Sequence, residues 1–515
     1  MPGIRFAIIG VALAGAALFQ SVHAAPSVPP VAPPAEFAKY IAQVKAAESV
    51  QGDEARCKAT PDLPGNQWRS GAAQGRCAML RAPALTLDKI DSLLATPAGV
   101  AALESRFASL LKAHYRDPAQ RDQIFIAYQV FDESPRAGEI AQRWLKLSPK
   151  SAFARVAVGV HFSGAGWKAR GTRVASSTSE DKFERMSGYF AQAVPMYKQA
   201  LEIEPRLSIA CTRLNSIGRQ SSNELQALAT AHCLKVDPDS YWVEREQIRA
   251  ADPMWSGSTD ALYRAVAFAR TRADRNPTLG VFLGEGVGYK ASKEDSYGEV
   301  VDTLVVASRI GGPNPAMMYR AGSGYWDIRQ HWLALVYYSQ VVRFEPDNTF
   351  YRYARAGLLA GHLKDYAWAK SDMELALQKE PDNARFLLQM GDIALATESA
   401  AAARAYYTRG AKGESREDGK TRYCETYLEP TVTKEAQACT RDLVREFARS
   451  ANAWYTHARA LADHDVKGAL AALEQVRVVA DPDERADRRA VARAKRLEDQ
   501  LKARTSPSAA RAAGK

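Results

Sequence analysis

YYSQVVRFEPDN at residues 337–348 and DMELALQKEPDN at residues 372–383 decide the fold. In both, apolar and small residues recur three and four positions apart, and the run closes on Glu-Pro, with Pro346 and Pro381 35 residues apart. That spacing lines one face of a helix, and proline stops it. The same stop recurs upstream at Ser148-Pro149, Glu204-Pro205 and Asp237-Pro238, with 33 residues from Pro205 to Pro238. An interval near 34 residues fits a two-helix unit that buries its apolar face only by stacking on its neighbours.

Counting back from Pro381 meets Ala376, Met373 and Ala369, then Ala360, Gly357, Ala356 and Tyr353. Counting back from Pro346 meets Val341, Tyr338 and Ala334, then Tyr325, Gly322, Ala321 and Met318. A third unit holds Leu387, Met390, Gly391, Ala394, Ala403 and Tyr407, and loses its proline at Ser415. A weaker fourth begins near Trp454, with a shortened turn at residues 463–467. Glycine and alanine stand where paired helices approach closely, and bulky residues fill the seam to the next unit. Upstream, Ala193, Tyr197, Ala200 and Pro205 match a second helix, and residues 227–238 match a degenerate follower.

These residues resemble the tetratricopeptide repeat. The resemblance implies an all-α helical-repeat solenoid whose first helices line a groove for a protein or peptide partner. Carried onto this chain, the groove positions are Tyr319, Trp326, Asp327, Tyr351, His362, Arg385 and Asp392. It implies neither cofactor nor metal.

Between residues 151 and 276, His161, Gly166-Trp167, Arg170-Gly171, Thr178-Ser179-Glu180 and Phe183 precede the Ala193 helix, and Trp255-Ser256-Gly257-Ser258 follows. This arrangement is similar to a bacterial family known only as a domain of unknown function, which lends no activity. His161, Trp167, Arg170 and Glu180 invite an acid/base reading, the one place where an enzyme could be argued. The structural reading is stronger: Ser177 to Glu180 has the Ser-x-x-Glu form of a capping box, and Trp167 with Arg170 can cover a solenoid end.

The composition excludes other classes. The chain has 515 residues, 46% hydrophobic and 25% charged, which is globular in texture rather than disordered or collagenous. Gly284-Glu-Gly286-Val-Gly288 lacks the Lys-Ser/Thr of a phosphate loop and reads as a flexible connection. Residues 300–310 are the single run that could be argued as a strand. Asp463-His464-Asp465 reads as a solvated turn, and the eight histidines show no metal-binding spacing.

The compartment is read from the first residues. Arg5 precedes an uncharged run at 6–19, and Val22-His23-Ala24 offers small residues for cleavage after Ala24. That run would span about 21 Å as a helix, short of a bilayer core. The expectation is therefore an exported protein, periplasmic or secreted, not transmembrane after cleavage. Six cysteines fall into local pairs, Cys57/Cys77, Cys211/Cys233 and Cys424/Cys439, and the oxidising compartment favours three local disulfides. Prolines 26, 29, 30, 33 and 34 read as a stiff spacer.

The net charge is +11, and residues 484–515 hold ten Lys/Arg against four Asp/Glu. A terminal helix bearing Arg485, Arg488, Arg489, Arg493, Lys495, Arg496, Lys502 and Arg504 could meet an anionic envelope polymer or lipid. Export disfavours nucleic acid. The expected organisation is a signal peptide (1–24), a proline-rich spacer with the stapled Cys57/Cys77 segment (25–84), degenerate repeats (85–314), tetratricopeptide-like repeats (315–480), and a basic helix and tail (481–515).

Overall fold

A computed structural model describes residues 29–171, 175–255, 257–428 and 431–505, leaving aside the side chains of Arg485 and Thr505. The expected signal segment and the last ten residues lie outside that set. Among the described residues there are 26 α-helices, and strand is confined to one two-stranded pairing, Gln67–Trp68 with Ile310–Gly311 in parallel. The chain is an all-α helical-repeat protein. It divides into two compact units, Val31–Leu363 and the described residues from Lys364 onward.

The helix boundaries follow from their stop and start residues. Ser148, Glu204, Asp237, Glu345 and Glu380, each followed by proline, are all helix C-caps, because proline pushes the preceding residue out of the helical region. Starts are capped by short polar side chains. Asn314, Asn383, Ser399, Ser450 and Asp465 each accept a backbone N–H of the first turn, which satisfies a donor the helix itself leaves open.

Pairs are closed by a recurring contact. A Cβ on Gly322, in helix Pro315–Asp327, would stand 2.8 Å from the Tyr338 ring in helix His331–Phe344. Gly391 and Tyr407 repeat this between Ala384–Thr397 and Ala400–Gly410, and Gly159 and Tyr197 between Ala152–Arg170 and Glu180–Ile203. Each ring is anchored at its hydroxyl. Tyr338 meets Ser323 Oγ at 3.0 Å, Tyr197 meets Ser163 Oγ at 3.0 Å, and Tyr407 donates to Asp392 Oδ1 at 2.9 Å.

Three disulfides form, Cys57–Cys77, Cys211–Cys233 and Cys424–Cys439, with Cα separations of 5.4, 5.7 and 5.5 Å. Cys211 lies in the first turn of Ser208–Ser221 and Cys233 in the last turn of Asn223–Val236, so the bridge ties the open ends of an antiparallel pair. The first disulfide staples the short helices Asp53–Ala59 and Ala72–Ala78. That stapled segment lies on helix His331–Phe344: Gln340 donates to Tyr40 Oη (2.6 Å) and the Pro61 carbonyl (2.7 Å), and Arg343 to the Cys57 carbonyl (2.7 Å) and Asp62 (2.7 Å).

Two local expectations are corrected, and one open reading is resolved. The Gly284–Gly288 stretch is a packed helix, Leu283–Gly288, rather than a flexible connection. Its glycines allow close approach, since a Cβ on Gly288 would strike Met317 and Ala307, and Asn314 Nδ2 donates to half-buried Glu285 at 3.0 Å. The run at 300–310, open to a strand reading, forms helix Val301–Arg309, and only Ile310 enters the short strand. Helix Glu180–Ile203 starts after Ser179, whose side chain makes no cap bond, while Ala175–Ser177 is a 3-10 turn; the capping box at Ser177 does not form.

Candidate functional site: an aromatic wall and a cationic pocket

The groove residues expected from the sequence fall in both units. Tyr319 and Trp326 lie on helix Pro315–Asp327, Tyr351 on Thr349–Leu358, and His362 on the π-helical turn Leu359–Leu363 that extends it. Their rings run on from one another. Tyr319 packs against Phe350 (5.2 Å between centroids), Tyr351 (5.4 Å) and Tyr338 (5.8 Å), and Trp326 against Tyr338 (6.1 Å) and His362 (5.7 Å).

Trp326 Nε1 donates to His362 Nε2 at 3.1 Å, and His331 stacks on His362 at 4.0 Å. Asp327 is exposed at the end of its helix. Phe350, which the sequence reading missed, is 46% exposed, a large apolar ring at one end of this series beside Tyr319 and Tyr351. Burial raises the phenol pKa of Tyr319, so that hydroxyl stays neutral.

Arg385 and Asp392 belong to the second unit. Arg385 is exposed in the first turn of Ala384–Thr397. Asp392 is engaged within its own repeats, by the Tyr407 hydroxyl and an ion pair with Arg422.

The His161 to Glu180 residues do not assemble into acid/base machinery. His161 is buried, its Nδ1 at 2.7 Å from the Asp132 carbonyl and its ring tight against the Gly138 backbone. Glu180 is exposed, and no hydrogen bond or ion pair joins it to His161 among the described residues. Arg170 covers the Phe183 ring at 5.7 Å and Trp167 meets Phe190 edge-on. A second polar cluster is equally enclosed. His114 Nε2 lies 2.7 Å from Asp237, His114 Nδ1 accepts the Asp122 N–H, and Ser240 donates to Asp122; all four residues are buried, as a clasp requires.

Two tryptophans singled out in the sequence do converge. Trp167 and Trp255 line one cavity of about 490 Å³ with Trp242 and four arginines, Arg213, Arg219, Arg245 and Arg249. The sequence signal for it lay in helix Tyr241–Ala251, where Trp242, Arg245 and Arg249 stand three and four apart on one face. Like charges at that spacing cost stability in an isolated helix.

The opposite side of this helix borders a second cavity, also about 490 Å³, with Glu244 and Gln247 on its wall. Burial pushes the Glu244 carboxyl up to about 8, and neither of its oxygens has a hydrogen-bond partner.

Much of the terminal helix Arg485–Thr505 is used internally. Ala490, Ala494 and Leu501 are buried, Arg493 donates to Asn452 and covers Tyr455, and Arg504 pairs with Asp463. Arg489, Lys495 and Arg496 remain exposed. Asp463 and His464 lie in an exposed turn where Asp465 caps the following helix. Among the described residues no cluster of His, Cys, Asp or Glu could hold a metal ion, and no helix is long and apolar enough to cross a membrane.

No protein-family model matches the chain, so the upstream likeness to a family of unknown function finds no support there, and no curated protein matches it either. Among solved structures it is similar to yeast Tom70, at 14% identity and a TM-score of 0.30, over 81% of this chain and 99% of that one. A tetratricopeptide repeat protein from Parabacteroides merdae gives 15% identity and a TM-score of 0.34, over 49% of this chain and 98% of that one. The Cut9-Hcn1 hetero-tetramer of the APC/C gives 12% and 0.32, over 89% and 96%. Likenesses this weak say nothing about what this chain binds.

Proposed function

We propose that this chain is an exported helical-repeat scaffold that captures a protein or peptide partner in the cell envelope. The observation that carries the reading is a wall of rings, Tyr319, Phe350 and Tyr351 at one end and Trp326 and His362 at the other, joined through buried Tyr338, with Phe350 left 46% exposed. Aromatic side chains offer large contact area at little entropic cost and dominate binding hot spots. What supports export is the uncharged run at 6–19 followed by small residues at a cleavage point after Ala24, together with three disulfides, a bond type that persists in oxidising compartments. The test is partner capture by the chain from Ala25, with Trp326→Ala and Phe350→Ala combined as the disabling change.

A further inference from the structure

Away from the aromatic wall, the cavity beside helix Tyr241–Ala251 carries more positive charge than the chain's own carboxylate balances. Four guanidinium groups line it, and Glu246 is the single carboxylate among its lining residues. Arg219, only 5% exposed at its side chain, takes one Glu246 oxygen at 2.8 Å and Arg249 the other at 3.3 Å. Among the described residues neither Arg213 nor Arg245 has a hydrogen bond or ion pair. Burial lowers the Arg245 pKa, and Arg249 adds repulsion, so a negative partner would relieve both.

The aromatic residues say more about the ligand. Arg245 lies over the Trp242 ring at 5.1 Å and Arg219 over Trp255 at 5.3 Å. Stacking covers the faces of a guanidinium and leaves its in-plane N–H groups for a bidentate acceptor, which holds for Arg245, whereas Arg219 already gives Nη1 to Glu246. Phosphate alone would use the arginines and waste the indoles, because it has no apolar face.

We infer that this pocket binds a carboxylate borne by a molecule that also carries a flat apolar group, with the guanidinium edges of Arg213 and Arg245 on the carboxylate and the flat group among the aromatic side chains that line the cavity. Such chemistry is offered by a peptide ending in an aromatic residue and by a small aromatic acid.

Tryptophan fluorescence reads the site directly, since three of the nine tryptophans line it. The probes, added to the whole chain, are N-acetylglycyl-phenylalanine, its carboxamide, phenylacetate and inorganic phosphate. The inference expects saturable quenching by the free acid, at least about tenfold weaker for the carboxamide, as loss of a charged hydrogen-bond acceptor implies. Arg245→Gln should remove binding, Arg245→Lys should leave an intermediate affinity, and exposed Arg136→Gln should change nothing. Folding is checked by circular dichroism, and Arg213→Gln replaces Arg245→Gln if the latter unfolds. Phenylacetate binding as well as the peptide also supports the inference and makes the ligand a small acid. Carboxamide equal to acid, phosphate at least as good as acid, or no quenching by any probe up to about 10 mM overturns it.

Discussion

Gly322 lies beneath the ring of Tyr338, where a Cβ would stand 2.8 Å from both Cδ1 and Cε1, and the Tyr338 hydroxyl meets Ser323, the next residue on the same helix. Ring and glycine thus set the distance between the two helices of a repeat, and the hydroxyl sets their register. Gly322→Ala gains up to about 1 kcal/mol of helix propensity and loses about 1–3 kcal/mol to overpacking against a ring with nowhere to go. The expected net effect is a lower thermal midpoint. Tyr338→Phe keeps the ring and loses only the hydroxyl bond, about 1 kcal/mol. Thermal melts of both variants check the pair, and an unchanged midpoint for Gly322→Ala would place the contact elsewhere.

Breaking the Cys211–Cys233 bridge should cost about 3 kcal/mol, the entropy of a closed loop of this size. Peptide mapping without reductant should recover the two peptides joined. Alkylation of both thiols in folded, unreduced protein would contradict the structure.

Glu244 gives stability an unusual pH dependence. Its carboxyl is pushed from 4.5 to about 8 by burial, so the folded chain keeps a proton that the unfolded chain has lost throughout that interval. Stability should therefore fall as pH rises from about 4.5 to about 8 and level off above it. Glu244→Gln removes the titration. Its melting point should match the native chain near pH 5 and exceed it at pH 9, by an amount corresponding to roughly 2–4 kcal/mol. Parallel curves across that range would mean the carboxyl is charged when folded.

His161 is expected to be structural. Removing it empties the space against Gly138 and orphans the Asp132 carbonyl, so His161→Ala should lower stability by about 2–3 kcal/mol. Partner capture by the folded variant at low temperature should be intact. A folded variant with full stability and no biological activity would turn attention to chemistry at that site.

What the sequence made legible was local. Proline stops, short polar caps and neighbouring cysteines act within one or two helices, so Glu345, Glu380 and the three disulfides could be placed without knowing the tertiary arrangement. Contacts distant along the chain were not legible. Gln340 and Arg343 look like solvent-facing residues of a repeat helix, yet both are buried because the segment around Cys57 and Pro61 covers them. The glycines at 284, 286 and 288 looked like slack, and their use is close packing, Gly284 and Gly288 against Ala307 and Gly286 against Val266. The cationic pocket draws Phe125, Trp167, Arg213 and Trp242 from four separate helices, so their convergence leaves no periodic trace.

The central claim is that the aromatic wall captures a protein or peptide partner. Its most direct test is quantitative capture from envelope extract by three immobilised chains, each starting at Ala25: unaltered, Trp326→Ala with Phe350→Ala, and His161→Ala. Two aromatic hot spots at about 2 kcal/mol each correspond to roughly a thousandfold in affinity. The account predicts one defined partner held by the unaltered and His161→Ala chains and lost from the wall variant with its fold intact. Undiminished capture by a folded wall variant would contradict it.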